Sequence, residues 1–236
     1  MPAWPMHLLI AKTINKKIKL KGNNSNQFII GNLLPDIYSG HIIDDTSKVL
    51  DYELSHYGKV IKINGHDYML PDYEEYIERN ELKGNYVALG YLSHILADYF
   101  FNQYSFELKY IKDDKDQVVA IRNKAYEIIK SNSDMARVTK QNDFKLYSNY
   151  ILLNNKFKDI NINNEVEKKA KEIKQINVEY DDLLKMEKYV KNMLKDKNLE
   201  KLNEDVLEMF SKKELDNMLK MCEDFILLVF RKNELL

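Results

Sequence analysis

The stretch Tyr86–Phe101, YVALGYLSHILADYFF, decides how this chain is read. It is apolar on almost every side of a helix, and a helix of that kind is buried. His94 and Asp98 break the pattern. Their spacing of four places them one above the other on a single helix face. A buried imidazole and a buried carboxylate are costly unless they are paired or bind a metal. Taken alone, the two residues fit a hydrogen-bonded core pair as well as they fit a pair of metal ligands. The run falls short of the ~20 apolar residues a membrane span needs, and His94 and Asp98 interrupt it, so no transmembrane segment is expected.

Outward from this stretch, helical spacing dominates. Leu8, Leu9, Ile14 and Ile18 mark a first helix over Met6–Ile18. Gly22–Ser25 reads as a loop, with Ser25 placed to cap a short helix over Gln27–Leu33. Pro35 disfavours helical geometry at Leu34, which leaves Asp36 at an exposed turn. Residues 37–72 look irregular, and a loop that long is functional or disordered. Asp72 with Glu75 forms a capping box for a helix to Arg79. The 86–101 helix is expected to run to about residue 109. Beyond 117 the spacing predicts helices near 118–131, 143–154, 164–177, 180–196 and 203–211. A long amphipathic helix follows at 213–234, with Leu215, Met218, Leu219, Cys222, Ile226, Val229 and Phe230 on one side as a core face or a dimer face. Alternating strands are not evident. The expected fold is all-α, a single multi-helix domain over 1–236.

The chain has 236 residues, 44% hydrophobic and 11% aromatic, as a folded globular protein does. A net charge of −1 gives no global reason to bind nucleic acid or an anionic membrane. Cys222 is the single cysteine, so no intrachain disulfide can form. The first residues lack the layout of a secretory signal, so the expected location is cytoplasmic. The Asn/Lys-rich stretch 153–176 reads as a surface helix with its preceding loop. Oligomeric state is not legible.

All five histidines, His7, His41, His56, His66 and His94, fall in the first 94 residues. That skew matters because metal sites are built mainly from His, Cys, Asp and Glu. Each candidate has a plain alternative: His7 as a core histidine, Asp36 as a capping turn residue, His56 as a solvated loop histidine.

The set carries more than its parts. His7 lies on the first helix, Leu34-Pro35-Asp36 forms a PD turn, Ser55-His56 is an SH pair, and Gly90-Tyr91-Leu92-Ser93-His94-Ile95-Leu96-Ala97-Asp98 is a G-Y-x-x-H-x-x-x-D helix. In this order they resemble the zinc-dependent phospholipase C family and its relatives, the S1/P1-type nucleases. The resemblance covers residues 1–110 as a metal-site region, with 111–236 as supporting helices, and implies an all-helical phospholipase C/P1 nuclease-like bundle. It implies one zinc held by Asp36, His56, His94 and Asp98, and a second bound by His7 and bridged by Asp98. In the family the second zinc also takes the amine of an N-terminal tryptophan. Here the tryptophan is Trp4, and a Pro2 amine freed by loss of Met1 would be its substitute. A third zinc lacks its ligands: Tyr104 stands at one position, and no histidine follows, leaving Asp143 as a remnant carboxylate. The implied activity is hydrolysis of a phosphoester or phosphodiester such as a phospholipid, with a reduced cluster and Asp36 as the catalytic base.

Two rivals stand beside this reading. One is a non-catalytic or structural metal-binding protein of the same descent. The other is an HD-type phosphohydrolase built on His66-Asp67, but Asn64-Gly65 and Pro71 around that pair read as a turn. Lys12, Lys16, Lys17, Lys19 and Lys21 form a basic run that could meet lipid headgroups or nucleic acid; a solvated helix face is its simpler reading.

Overall fold

The computed structural model describes residues 2–236. In chain order its α-helices are α1 (Trp4–Lys17), α2 (Gly22–Gly31), α3 (Tyr52–His56), α4 (Tyr73–Arg79), α5 (Tyr86–Leu108), α6 (Ser133–Asn154), α7 (Asn164–Lys171), α8 (Tyr180–Lys195) and α9 (Lys212–Lys232). The chain is mostly α, as the periodicity predicts.

α5 is the axis. Asn85 starts it by accepting the Ala88 N–H at 3.0 Å, and every residue from Val87 to Asp98 is buried. α1, α2, α4, α7 and α9 all pack against it. The closest crossing is with α2, where two glycines meet backbone. A Cβ on Gly90 would stand 2.1 Å from the Phe28 carbonyl oxygen, and one on Gly31 would stand 1.9 Å from that of Val87. Only glycine permits this approach, and it brings the end of α2 against His94. The main core runs from Trp4 on α1 to Phe230 on α9. α9 buries the apolar face that its spacing predicts, and Cys222 is buried within it. Among the described residues, no helix is long and apolar enough to cross a membrane.

The structure corrects the expectation in six places. The helix expected near 143–154 starts earlier, at Ser133, as α6, and the one expected near 164–177 stops at Lys171, as α7. The helix expected over 118–131 is two strands, β4 (Val118–Arg122) and β5 (Ile128–Lys130), which join β3 (Tyr110–Lys112) in an antiparallel sheet ordered β3-β4-β5. β-branched residues dominate these segments and favour a pleated surface. Between β4 and β5, Asn123 Oδ1 accepts the N–H groups of Ala125 and Glu127, and Tyr126 takes a left-handed φ of 64°. Residues 37–72, expected to be irregular, hold α3 and a hairpin of β1 (Gly58–Ile63) and β2 (His66–Pro71). Asn64-Gly65, both at positive φ, close it as a two-residue turn. Ser25 is not a cap but lies inside α2, which begins at Gly22. The helix expected at 203–211 shrinks to one 3₁₀ turn, Glu204–Val206.

Candidate metal centre

His7, Asp36, His56 and the His94–Asp98 pair come from four separate stretches of chain and meet around one point. All are at most 2% exposed. Asp36 is therefore not at an exposed turn, and His56 is not in a loop. Asp36 ends the 3₁₀ turn Leu34–Asp36, and His56 is the last residue of α3. Tyr57, in the left-handed region at φ 55°, stops α3 at once and turns the chain into β1.

Neighbouring groups decide which ring nitrogens face the centre. His94 Nδ1 lies 2.8 Å from the Asn32 carbonyl oxygen, which can only accept, so Nδ1 carries the proton and Nε2 is a bare lone pair. Ser55 Oγ donates to the Asp51 carbonyl at 3.1 Å and so accepts from His56 Nδ1 at 2.8 Å, which leaves His56 Nε2 bare too. The Tyr91 hydroxyl donates to the Ser55 carbonyl and ties the Ser-His pair to α5. The G-Y-x-x-H motif is thereby explained: Gly90 admits α2, Tyr91 holds α3, and His94 is aimed by both.

Two bare Nε2 atoms then face each other at 3.3 Å, a repulsive arrangement without a cation between them. Asp36 Oδ1 lies 3.4 Å from His56 Nε2, and Asp98 Oδ2 is also 3.4 Å from it. Asp36 Oδ2 and Asp98 Oδ2 are each 3.7 Å from His94 Nε2. Donors about 2.0–2.2 Å from a common zinc at tetrahedral angles stand about 3.3–3.6 Å apart. This donor set fits zinc. Asp98 turns its other oxygen, Oδ1, to His7 Nε2 at 3.3 Å, and the His7 ring stacks on His94 with centroids 3.8 Å apart. Two overlapping groups could each hold an ion: Asp36, His56 and His94, and His7, His94 and Asp98.

The electrostatics agree. Burial pushes the His94 imidazole down to about 3, helped by His7 and opposed by Asp36 and Asp98, so the ring is neutral at physiological pH. Burial alone would raise the Asp36 and Asp98 carboxyls, but the histidines packed against them, His94 foremost, hold both below the usual carboxylate range. Both are anions. Among the described residues, Asp36 Oδ1, both Asp98 oxygens and both His7 nitrogens are buried with no hydrogen-bond partner.

Asp36 also opens to the outside. It lines a cavity of about 430 Å³ together with Trp4, Pro5, His41, Arg137 and Tyr189. The Trp4 indole donates to Asp36 Oδ2 at 3.1 Å. Pro2 lines the same cavity; whether Met1 is removed lies outside the described residues. Trp4, Ser55 and Tyr91 stand in or beside the motifs, whereas Arg137 of α6, which lines the cavity, is a position that motif reading does not single out.

Three other positions lie apart. The Tyr104 hydroxyl donates to Glu214 at 3.1 Å. Asp143 is not a remnant ligand; its oxygens accept the N–H groups of Glu208, Met209 and Phe210 and anchor that segment. His66 sits at the start of β2, 2.8 Å from Asp116, not on a buried helix.

Comparison with known families matches residues 6–196 to the family described as zinc dependent phospholipase C. Searches of curated proteins and of solved structures found no match.

Proposed function

The chain belongs to the zinc-dependent phospholipase C family, and on that premise we propose that it is a zinc-dependent hydrolase of phosphodiesters, with a phospholipid as the substrate class its family favours. The observation that carries the reading is the pair of bare imidazole nitrogens 3.3 Å apart, flanked by two buried carboxylates. In this reading Asp36, His56, His94 and Asp98 hold one zinc. Asp98 Oδ1 and His7 Nε2 hold a second.

Bound zinc there supplies a Lewis acid for a phosphoryl oxygen and a water of lowered pKa. The chain's own residues do the rest. Asn32 and Ser55 fix the tautomers of His94 and His56. Trp4 holds Asp36 by Oδ2, which leaves the unpaired Oδ1, 3.4 Å from His56 Nε2, to accept the proton of the attacking water. A structural zinc is closed by four protein ligands, whereas a catalytic one keeps an open position. The His7–Asp98 group is short of protein donors, and the cavity reaches Asp36, so a catalytic centre is favoured over a purely structural one.

Purified protein carrying zinc is expected to turn over bis-p-nitrophenyl phosphate. His94→Ala should lose both bound metal, by elemental analysis, and that turnover. Protein that carries no metal at neutral pH without chelator, or a His94→Ala variant with unchanged turnover, would overturn the proposal.

A further inference from the structure

The basic run on α1 does not stand alone in the folded chain. Lys12 and Lys16 meet Lys156 and Lys158, which come from the segment after α6, around a second cavity of about 220 Å³. Its floor is aliphatic, made by Leu8, Leu20 and Ile29, and Phe157 forms a wall with Lys12 Nζ 5.3 Å from its ring centre. None of the four lysines is paired with a carboxylate among the described residues. The acids nearby are otherwise placed: Glu165 is held by Asn23 and Gln27, and Glu223 and Asp224 pair with Lys17. Asp159 lines only the adjoining groove. Four positive charges thus gather at one place on a chain whose net charge is −1.

A second, independent observation marks the cavity as a ligand site. Asn15 lines it and is only 7% exposed. Its amide nitrogen donates to Ser25 Oγ, but its Oδ1 is buried without a partner among the described residues. A buried acceptor left unmade is costly. A hydroxyl donor from a ligand would satisfy it, while the lysines would satisfy a phosphate.

Position along α1 ties this cavity to the one at the metal centre. At 100° per residue, Trp4 and Pro5, which line the first cavity, share a roughly 120° arc with Leu8, Lys12, Asn15 and Lys16, which line the second. Pro5 and Lys12 are about 10 Å apart along the helix. Whatever docks on the basic cavity therefore lies beside the mouth of the other. Nucleic acid fits less well, because the floor is aliphatic and the one aromatic ring is covered by Lys12.

We propose that this lysine-rimmed, apolar-floored cavity docks the protein on an anionic phospholipid surface, accepting a phosphate headgroup that also carries a hydroxyl, as phosphatidylglycerol does. The lysines take the phosphate, Asn15 Oδ1 accepts the hydroxyl, and the half-buried Leu20 and Ile29 meet the lipid. This docking stands apart from turnover at the metal centre, so each can fail without the other.

The test is sedimentation of the full chain with vesicles. It should pellet with equimolar phosphatidylglycerol and phosphatidylcholine and remain in solution with phosphatidylcholine alone. Lys12→Glu with Lys156→Glu should weaken vesicle binding by at least about tenfold, with turnover of a soluble phosphodiester and the melting temperature unchanged. Lys213→Glu with Lys220→Glu on α9, the same charge change elsewhere, should leave it intact. Asn15→Ala should lower the preference for phosphatidylglycerol over phosphatidylserine. Equal pelleting on both vesicle types, none on either, equal loss in both double variants, or retention on single-stranded nucleic acid in place of vesicles would overturn it.

Discussion

Two buried polar clusters lie along α5, and they are satisfied in opposite ways. At its C-terminal end Lys109, wholly buried, pairs with Glu214 at 3.0 Å. The Tyr104 and Tyr126 hydroxyls donate to the other Glu214 oxygen at 3.1 and 3.2 Å. Lys109 also lies over the Tyr126 ring at 4.3 Å. Charge, donors and acceptors balance without outside help. At mid-helix, His7, Asp36 and Asp98 leave five buried atoms without a hydrogen-bond partner among the described residues, and the bare nitrogens of His56 and His94 oppose each other. A fold that satisfies one cluster so fully and leaves the other open points to a ligand for the open one. A group that satisfied the open one would be a cation, since carboxylate oxygens and bare imidazole nitrogens can only accept.

That contrast can be broken in steps. The largest effect should come from the closed cluster. Lys109→Met strands the Glu214 carboxylate and should cost about 3–5 kcal/mol of stability in denaturant unfolding, with zinc content unchanged. If zinc were lost as well, the two clusters would not be independent.

Acid should reveal the open cluster next. In metal-stripped protein the folded His94 binds its proton only near pH 3, whereas the unfolded chain binds it near its ordinary value of 6.5. The unfolded state therefore holds more protons in this window, and stability falls as pH drops from 6.5 towards 3. One proton contributes at most about 1.4 kcal/mol per pH unit. Asp36 and Asp98, held below their ordinary 3.8, add a further loss under that value. Melting temperatures across this range would check it, and a flat profile would contradict the assigned burial of His94.

The smallest effect concerns aim alone. Ser55→Ala removes the acceptor that fixes His56 Nδ1 while keeping every ligand. Zinc affinity should fall by about 10–100-fold, read by competition with a chelator, and the closed cluster should not respond. Unchanged affinity would mean that the Tyr52 ring stacked on His56 at 4.4 Å suffices to hold it.

Much of this was legible in the residues. The all-round apolarity of 86–101 requires a buried helix, and the four-residue step from His94 to Asp98 puts both on one face whatever surrounds them. The motif order brought His7, Asp36 and His56 into the same set, and the family match extends over residues 6–196, well past the motif region at 1–110. Strands were missed where short β-branched segments carry too few residues for their period to show, as at Val118–Arg122. The Asn64-Gly65 turn signal was present in the sequence and marks the β1–β2 hairpin.

By itself, then, the sequence determined the buried helix and the facing of His94 and Asp98, because local periodicity depends on near neighbours alone, and its motif order named the candidate ligands. Only the tertiary structure decided which nitrogens stay bare, which acceptors remain unpaired, and that Lys156 and Lys158 join Lys12 and Lys16. Each of those depends on a carbonyl, a hydroxyl or a charge brought from a distant part of the chain. The glycine-to-backbone contacts at Gly31 and Gly90 set the closest of these approaches, between α2 and α5.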